Sequence, residues 1–161
     1  MKLAENVAML SVPVNFNPEF VLNIVLLWDN DNLVLIDAGY AGQEDAIAEA
    51  IKNTGHDIKD LTHIIVTHQD LDHIGCINSL RKVAPNVKVL AHVDEAPYID
   101  GRKVAVKVEE ALKRLETSPL EAQKEIKEYA KRYEEARTKI DQELVDGEIL
   151  PICGGIKVIH V

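Results

Sequence analysis

Apolar residues recur along the first third of the chain in short extended runs. Val7 to Val14 and Val21 to Trp28 are rich in Val, Leu and Ile. The polar quartet Asp29-Asn30-Asp31-Asn32 separates the second run from a third, Leu33 to Asp37, so a β-hairpin is predicted across that turn. The period then changes. From Gln43 to Asn53 the apolar positions Ile47, Ala50 and Ile51 share one helical face, Glu44 and Asp45 stand in the first turn, and Gly55 supplies a stop. Leu61 to Thr67 contains Ile64-Ile65-Val66, the continuous apolar run of a strand covered on both faces. Ile77, Leu80 and Val83 make another helical stripe that ends before Pro85, and Val87 to Ala91 is a further short strand. Strands alternating with helices predict an α/β layer architecture.

Residues Lys103 to Val145 are charge-dense and carry two helical stripes, Val104, Val108, Leu112, Leu115 and then Ile126, Tyr129, Tyr133, Ile140, Leu144. They read as a helical hairpin about 103–145 inserted in a single domain, 1–161. Ser118-Pro119-Leu120-Glu121 has the form of a capping box, with Ser118 as N-cap and Pro119 at the first helical position. Glu128 with Arg132, and Glu135 with Lys139, are spaced to pair on the outer face. Asp146-Gly147 and Gly154-Gly155 mark turns around a segment Glu148 to Cys153 and a final strand from Ile156.

Composition narrows the partners. The 161 residues carry 18 Lys and Arg against 27 Asp and Glu, a formal charge of −9. That balance argues against nucleic acid or an anionic membrane as the main partner, since both need positive counter-charge. The longest apolar run, Ile24 to Trp28, is far too short to span a bilayer, and Met1 to Leu10 holds no secretory apolar core, so a soluble, cytoplasmic protein is expected. Cys76 and Cys153 lie far apart without C-x-x-C spacing and read as buried thiols. Asp29-Asn30-Asp31 is a turn rather than a calcium loop, because Leu33 and Val34 stand where that loop needs an oxygen ligand and a Gly.

The chemistry concentrates in Thr67-His68-Gln69-Asp70-Leu71-Asp72-His73-Ile74-Gly75, which packs two imidazoles and two carboxylates into six residues directly after a buried strand. His68 and Asp70 are two apart and project to one side of extended chain, while Asp72 and His73 stand where the next helix begins and approach from another angle. Four ligands can therefore converge from one loop. His63 reads as structural, His56 as a surface residue, and His92, at the end of its strand, as a candidate for a substrate or supporting role.

The stretch resembles the metallo-β-lactamase-fold hydrolases, whose signature is written H-x-H-x-D-H and which here reads His68-x-Asp70-x-Asp72-His73. Leu35-Ile36-Asp37-Ala38-Gly39 is similar to the family's strand and turn, and Thr62 to Thr67 to its apolar strand before the metal loop. The resemblance implies an α/β fold corresponding to the first half of a four-layer αβ/βα sandwich, with the helical hairpin inserted. It places His68 and Asp70 at a first metal and Asp72 and His73 at a second. It also makes Asp72 the catalytic residue that orients or deprotonates the attacking water. The implied activity is hydroxide attack on an ester, thioester, lactone, amide or phosphodiester of a small-molecule substrate. Zinc is the leading ion, with Mn²⁺ or Fe²⁺ as alternatives because Asp70 puts a hard oxygen where the family has an imidazole. The chain ends at Val161, where the family continues into a G-H-T-x-G-H-like loop, and His160 does not match that loop's ligand position. A truncated form, weakly active alone, is therefore expected, its bare sheet face covered by a missing C-terminal half or by a homodimer partner. The rival reading is a non-enzymatic dimerisation or interaction module with a residual metal site.

Overall fold

The computed structural model describes residues 1–14 and 16–161. Strands β1 (Lys2–Ala4), β2 (Val7–Val14), β3 (Asn17–Trp28) and β4 (Leu33–Ile36) form an antiparallel meander. From β4 onward the sheet is parallel, through β5 (His63–Val66), β6 (Lys88–His92) and β7 (Gln142–Leu144), so that spatial order follows chain order. The predicted hairpin across Asp29 to Asn32 is present, closed by backbone N–H groups of Asp31 and Asn32 donating to Asp29 Oδ1 at 2.9 and 2.7 Å.

Alternation decides which face is covered. In β2, Ala8, Leu10, Val12 and Val14 are buried whereas Ser11 and Pro13 are exposed. The buried face joins Leu26, Leu35, Ile64 and Val89 in one core, roofed by Ile47 and Ile51 of α1 (Glu44–Lys52), Ile74 of α2 (Leu71–Ile74), Ile77 and Leu80 of α3 (Ile77–Val83) and Ile99 of α4 (Ala96–Ile99). On the opposite face, the ribbon of β8 (Ile149–Leu150) and β9 (Ile156–Lys157) lays Leu150, Ile152, Ile156 and Val158 against Ile65, Leu90 and Leu144. Beyond the ribbon, Val7, Met9, Val25, Leu27 and Ile36 on that face stay half-buried. Among the described residues no helix is long and apolar enough to cross a membrane.

The insertion is smaller than the apolar stripes predict. It consists of α5 (Val106–Lys113) and α6 (Leu120–Ala136), and the chain leaves the helix at Arg137 to run extended into β7. Ile140 and Leu144 therefore do not continue the α6 stripe; a four-residue spacing fits a strand as well as a helix, and an open parallel edge at β6 decides it. Leu144 then packs on the sheet. Asp141 fixes the departure: its carboxylate accepts from Val89 N–H at 2.9 Å and from Arg81 Nη2 at 2.6 Å. Asn78 Nδ2 donates to the Glu135 and Arg137 carbonyls, so α3 satisfies groups that the end of α6 leaves open.

Other local expectations are corrected. Ser118 closes α5 by donating to the Arg114 carbonyl at 2.6 Å, and Pro119 takes the N-cap position of α6 with no side-chain cap. Glu135 pairs with Lys131 rather than Lys139, whose ammonium turns to Asp141. Cys76 is buried as expected, and desolvation pushes its thiol up to about 12, but Cys153 is only half-buried. His56 is not a plain surface residue, since its ring lies 5.0 Å from that of Trp28.

Asp29 joins the hairpin turn to the ribbon, because its Oδ2 accepts from Cys153 N–H at 2.7 Å. Hydrogen bonds from Asp31, Asn32 and Cys153 lower its carboxyl to about 2. A depressed folded-state value stabilises the fold above the ordinary carboxylate range and is lost as pH falls toward 2. Denaturant unfolding between pH 4 and 2 is therefore expected to show a shallower loss of stability in Asp29→Asn than in the wild type.

Candidate metal centre

The C-terminal ends of the parallel strands β4, β5 and β6 open on one edge of the sheet, and the residues that leave them are Asp37, Thr67-His68 and His92. The motif loop is pressed onto the turn after β4. Ala38 N–H donates to the His73 carbonyl at 2.8 Å, and Cys76 N–H to the Gly39 carbonyl at 3.2 Å. Gly75 permits this approach, since a Cβ there would stand 2.6 Å from both Ala41 N and the Leu71 carbonyl oxygen.

Asp37 organises both histidines. Its backbone is left-handed at φ 66°, and its carboxylate accepts from Thr67 N–H at 2.8 Å, from the Thr67 hydroxyl at 2.9 Å and from His73 Nδ1 at 2.8 Å. A carboxylate is acceptor only, so the proton on His73 stands on Nδ1 and Nε2 is left to face Asp72 Oδ2, 3.4 Å away. With its hydroxyl proton given to Asp37, Thr67 Oγ1 accepts from His68 Nδ1 at 3.0 Å, which directs His68 Nε2 to Asp70 Oδ2, also 3.4 Å away. The four residues singled out in the sequence are thus together, as two nitrogen–oxygen pairs whose imidazole rings lie 3.8 Å apart at 48°.

Those pairs fit divalent cations. Donors held about 2.0–2.1 Å from a tetrahedral ion stand about 3.3 Å apart, and hydrogen-bonding the far ring nitrogen to a carboxylate is how metal-ligating imidazoles are oriented. Burial works against charge on His73, and the bond to Asp37 with the nearby Asp72 and Asp70 carboxylates more than offsets it, raising the ring above its ordinary value.

The insertion reaches into this centre. Lys107 Nζ makes a close ion pair with Asp70 Oδ2, and Tyr133 Oη donates to Asp70 Oδ1 at 3.4 Å. Burial raises the Asp70 carboxyl, but the Lys107 hydrogen bond and charge, with His68 and His73, bring it below the ordinary range. Buried Gln69 accepts from Val106 N–H at 2.8 Å through Oε1, while its own N–H donates to Glu95 Oε2 at 2.9 Å. Lys107, Tyr129, Tyr133, Tyr40, Asp70 and Asp72 line a cavity of about 610 Å³. The sequence marks none of Asp37, Thr67, Gln69, Lys107 or Tyr133 as a site residue. The available signals are that Asp37 and Thr67 follow adjacent buried strands and that Asp37 stands in the strand and turn similar to the family's.

His92 lies on the other side of His68, where both line a second cavity of about 520 Å³ with His160. Among the described residues, His92, Asp94 and His160 bring three donor atoms within 4.8 Å of one another. The two rings, however, are stacked at 3.7 Å and 7°, so their lone pairs run side by side, and His92 Nδ1 already accepts from Asp94 N–H at 3.2 Å. His63 sits in β5 against the Thr62 hydroxyl at 2.9 Å, away from the centre, as expected of a structural residue.

Because Gln69 ties α5 to the motif loop, Gln69→Ala is expected to leave the sheet intact and loosen α5. Hydrogen exchange should then show the Val106 amide losing protection by at least about tenfold, the equivalent of one lost hydrogen bond.

The sequence profile of the metallo-beta-lactamase superfamily matches residues 18–161. A curated relative, the uncharacterised protein YobT of Bacillus subtilis (strain 168), is 34% identical over 82 residues, 51% of this chain and 34% of its own length. Among solved structures, a metallo-beta-lactamase family protein from Thermus thermophilus superposes with a TM-score of 0.71 at 21% identity, over 98% of this chain and 52% of that one. The class B3 di-zinc metallo-beta-lactamase LRA-12, from an Alaskan soil metagenome, gives a TM-score of 0.62 at 15% identity, over 94% of this chain and 47% of that one. The chain spans about half the length of these solved relatives. Their shared mixed α/β fold and the profile match over residues 18–161 lead to one conclusion: this chain belongs to the metallo-beta-lactamase superfamily.

Proposed function

We propose that the chain serves a metal-dependent hydrolase, with His68 and Asp70 holding one divalent ion, Asp72 and His73 a second, and Asp72 acting on the attacking water. The observation that carries this reading is the pair of nitrogen–oxygen edges at 3.4 Å, each with its imidazole Nδ1 already engaged so that Nε2 faces the carboxylate. The di-zinc description of the soil-metagenome relative supports zinc; the carboxylate at Asp70 keeps Mn²⁺ and Fe²⁺ as alternatives.

A divalent cation held there supplies Lewis acidity, polarising a carbonyl or phosphoryl oxygen and making hydroxide available near neutral pH. The chain's own residues do the rest. Asp72, on the first turn of α2, faces the 610 Å³ cavity with a free acceptor edge and is placed to orient water and take its proton. Thr67 and Asp37 hold the two imidazoles in one tautomer, so neither ring has to turn on ligation. The cavity volume suits a small molecule, and its Tyr40 and Tyr129 walls suit an apolar portion beside the scissile ester, thioester, lactone, amide or phosphodiester bond.

Elemental analysis of the purified chain is expected to find zinc, manganese or iron. His73→Ala and Asp72→Ala should each weaken Zn²⁺ binding at least about tenfold in calorimetry, and Asp72→Ala should abolish any turnover of a panel of those five bond types. No metal in the preparation, together with no uptake at millimolar Zn²⁺, would overturn the reading.

A further inference from the structure

One oxygen of the centre has two claimants. Asp70 Oδ2 is the atom that faces His68 Nε2 at 3.4 Å, and it is also the atom held by the Lys107 ammonium. The second oxygen of the same carboxylate accepts from Tyr133 at 3.4 Å. Both oxygens of a first-position ligand are therefore occupied by groups of the helical insertion. An ammonium and a divalent ion on one oxygen would stand about 3–4 Å apart and repel, and the single charge of one carboxylate is too small to neutralise both.

We propose that Lys107 is a resident cation of the first position. It neutralises Asp70 while the insertion is docked, so the chain loads one divalent ion, at Asp72 and His73, and takes a second only as Lys107 withdraws. This rests on the hydrolase reading above and deepens it by assigning an order of loading and a moving part. The geometry makes withdrawal feasible: the Lys107 side chain is 57% exposed on a helix of eight residues, with solvent available to receive the ammonium. Withdrawal also reaches the helix. Val106, the preceding residue, hangs from Gln69 Oε1, and Tyr133 shares Asp70, so the insertion grips two consecutive residues of the motif loop, Gln69 and Asp70. Occupancy of the first position and docking of α5 and α6 are thus alternatives at a single carboxylate.

The proposal is tested on the full chain with Zn²⁺ alone, using competition against a chromophoric chelator and elemental stoichiometry after desalting. The wild type and Lys107→Arg, which keeps the charge, are expected to hold one ion per chain. Lys107→Met, which keeps the length and drops the charge, should hold two, the additional ion binding at least tenfold more tightly than any second ion on the wild type. Adding His68→Ala to Lys107→Met should remove that additional ion. Limited proteolysis supplies a second readout, and decides alone if Lys107→Met does not fold. Zinc concentrations that fill the wild type beyond one ion should speed cleavage at the joint between α5 and α6. Two ions on the wild type with the joint still protected would overturn the proposal and leave the hydrolase reading standing. So would equal or weaker binding in Lys107→Met, which would make Lys107 a supporting partner of a ligated Asp70. No zinc on any variant would overturn both.

Discussion

The candidate metal centre depends on one carboxylate held in an unfavourable backbone. Asp37 sits at φ 66°, a region that costs a non-glycine residue about 1–3 kcal/mol, though Asp tolerates it better than most. In return its side chain collects an amide, a hydroxyl and an imidazole donor at 2.8 to 2.9 Å, and hydrogen bonds to a charged group contribute about 1.5–3 kcal/mol each. The strain is more than offset, and what it purchases is orientation. Without that left-handed residue the turn after β4 could not present its carboxylate to the loop after β5, and neither His68 nor His73 would have a fixed ring.

The pairing of β4 with β5 makes this possible and explains why it was hard to read. Ile36 lies beside Ile65 in parallel register, so the residues that follow each strand emerge together although Asp37 and Thr67 are 30 positions apart. The motif itself was legible because its candidate ligands are contiguous: the spacing of His68 to Asp70 and the helix start at Asp72 carry their own geometry. Strands β2 to β6 and helices α1 and α3 were legible for the same local reason, each having one dominant period and a turn at its end, whereas β1 carries no such pattern. Asp37 carried only its place in the family-like strand and turn, and Thr67 only its place after a buried strand, since the bond between them exists only once two strands have paired.

The insertion failed to read at the points where local pattern was ambiguous. Ile140 and Leu144 satisfy a helical spacing and an extended one equally, and only the open edge of β6 distinguishes them. Ser118 had a capping sequence behind it, but the carbonyl of Arg114 offered a nearer partner. Lys107 looked like any lysine on a charge-dense helix. Its pairing with Asp70 exists only after folding brings residues 70 and 107 together, and a helical surface lysine has no sequence signature for a partner that far away.

The energetic division of the molecule follows from these contacts. The sheet and α1 to α4 share one large core, whereas α5 and α6 rest mainly on a small separate cluster of Ala105, Val108 and Tyr133 with Leu71 and Tyr129 beside it, Ala136 at the end of α6 reaching the large core. Apolar burial alone gives such a cluster little to hold it, and elements with few buried contacts are the first to open. Polar contacts to Gln69 and Asp70 therefore form a larger share of what keeps the insertion docked than any ion pair contributes in the main body. A change of charge at Asp70 would therefore act directly on the contacts that hold the insertion to the motif loop.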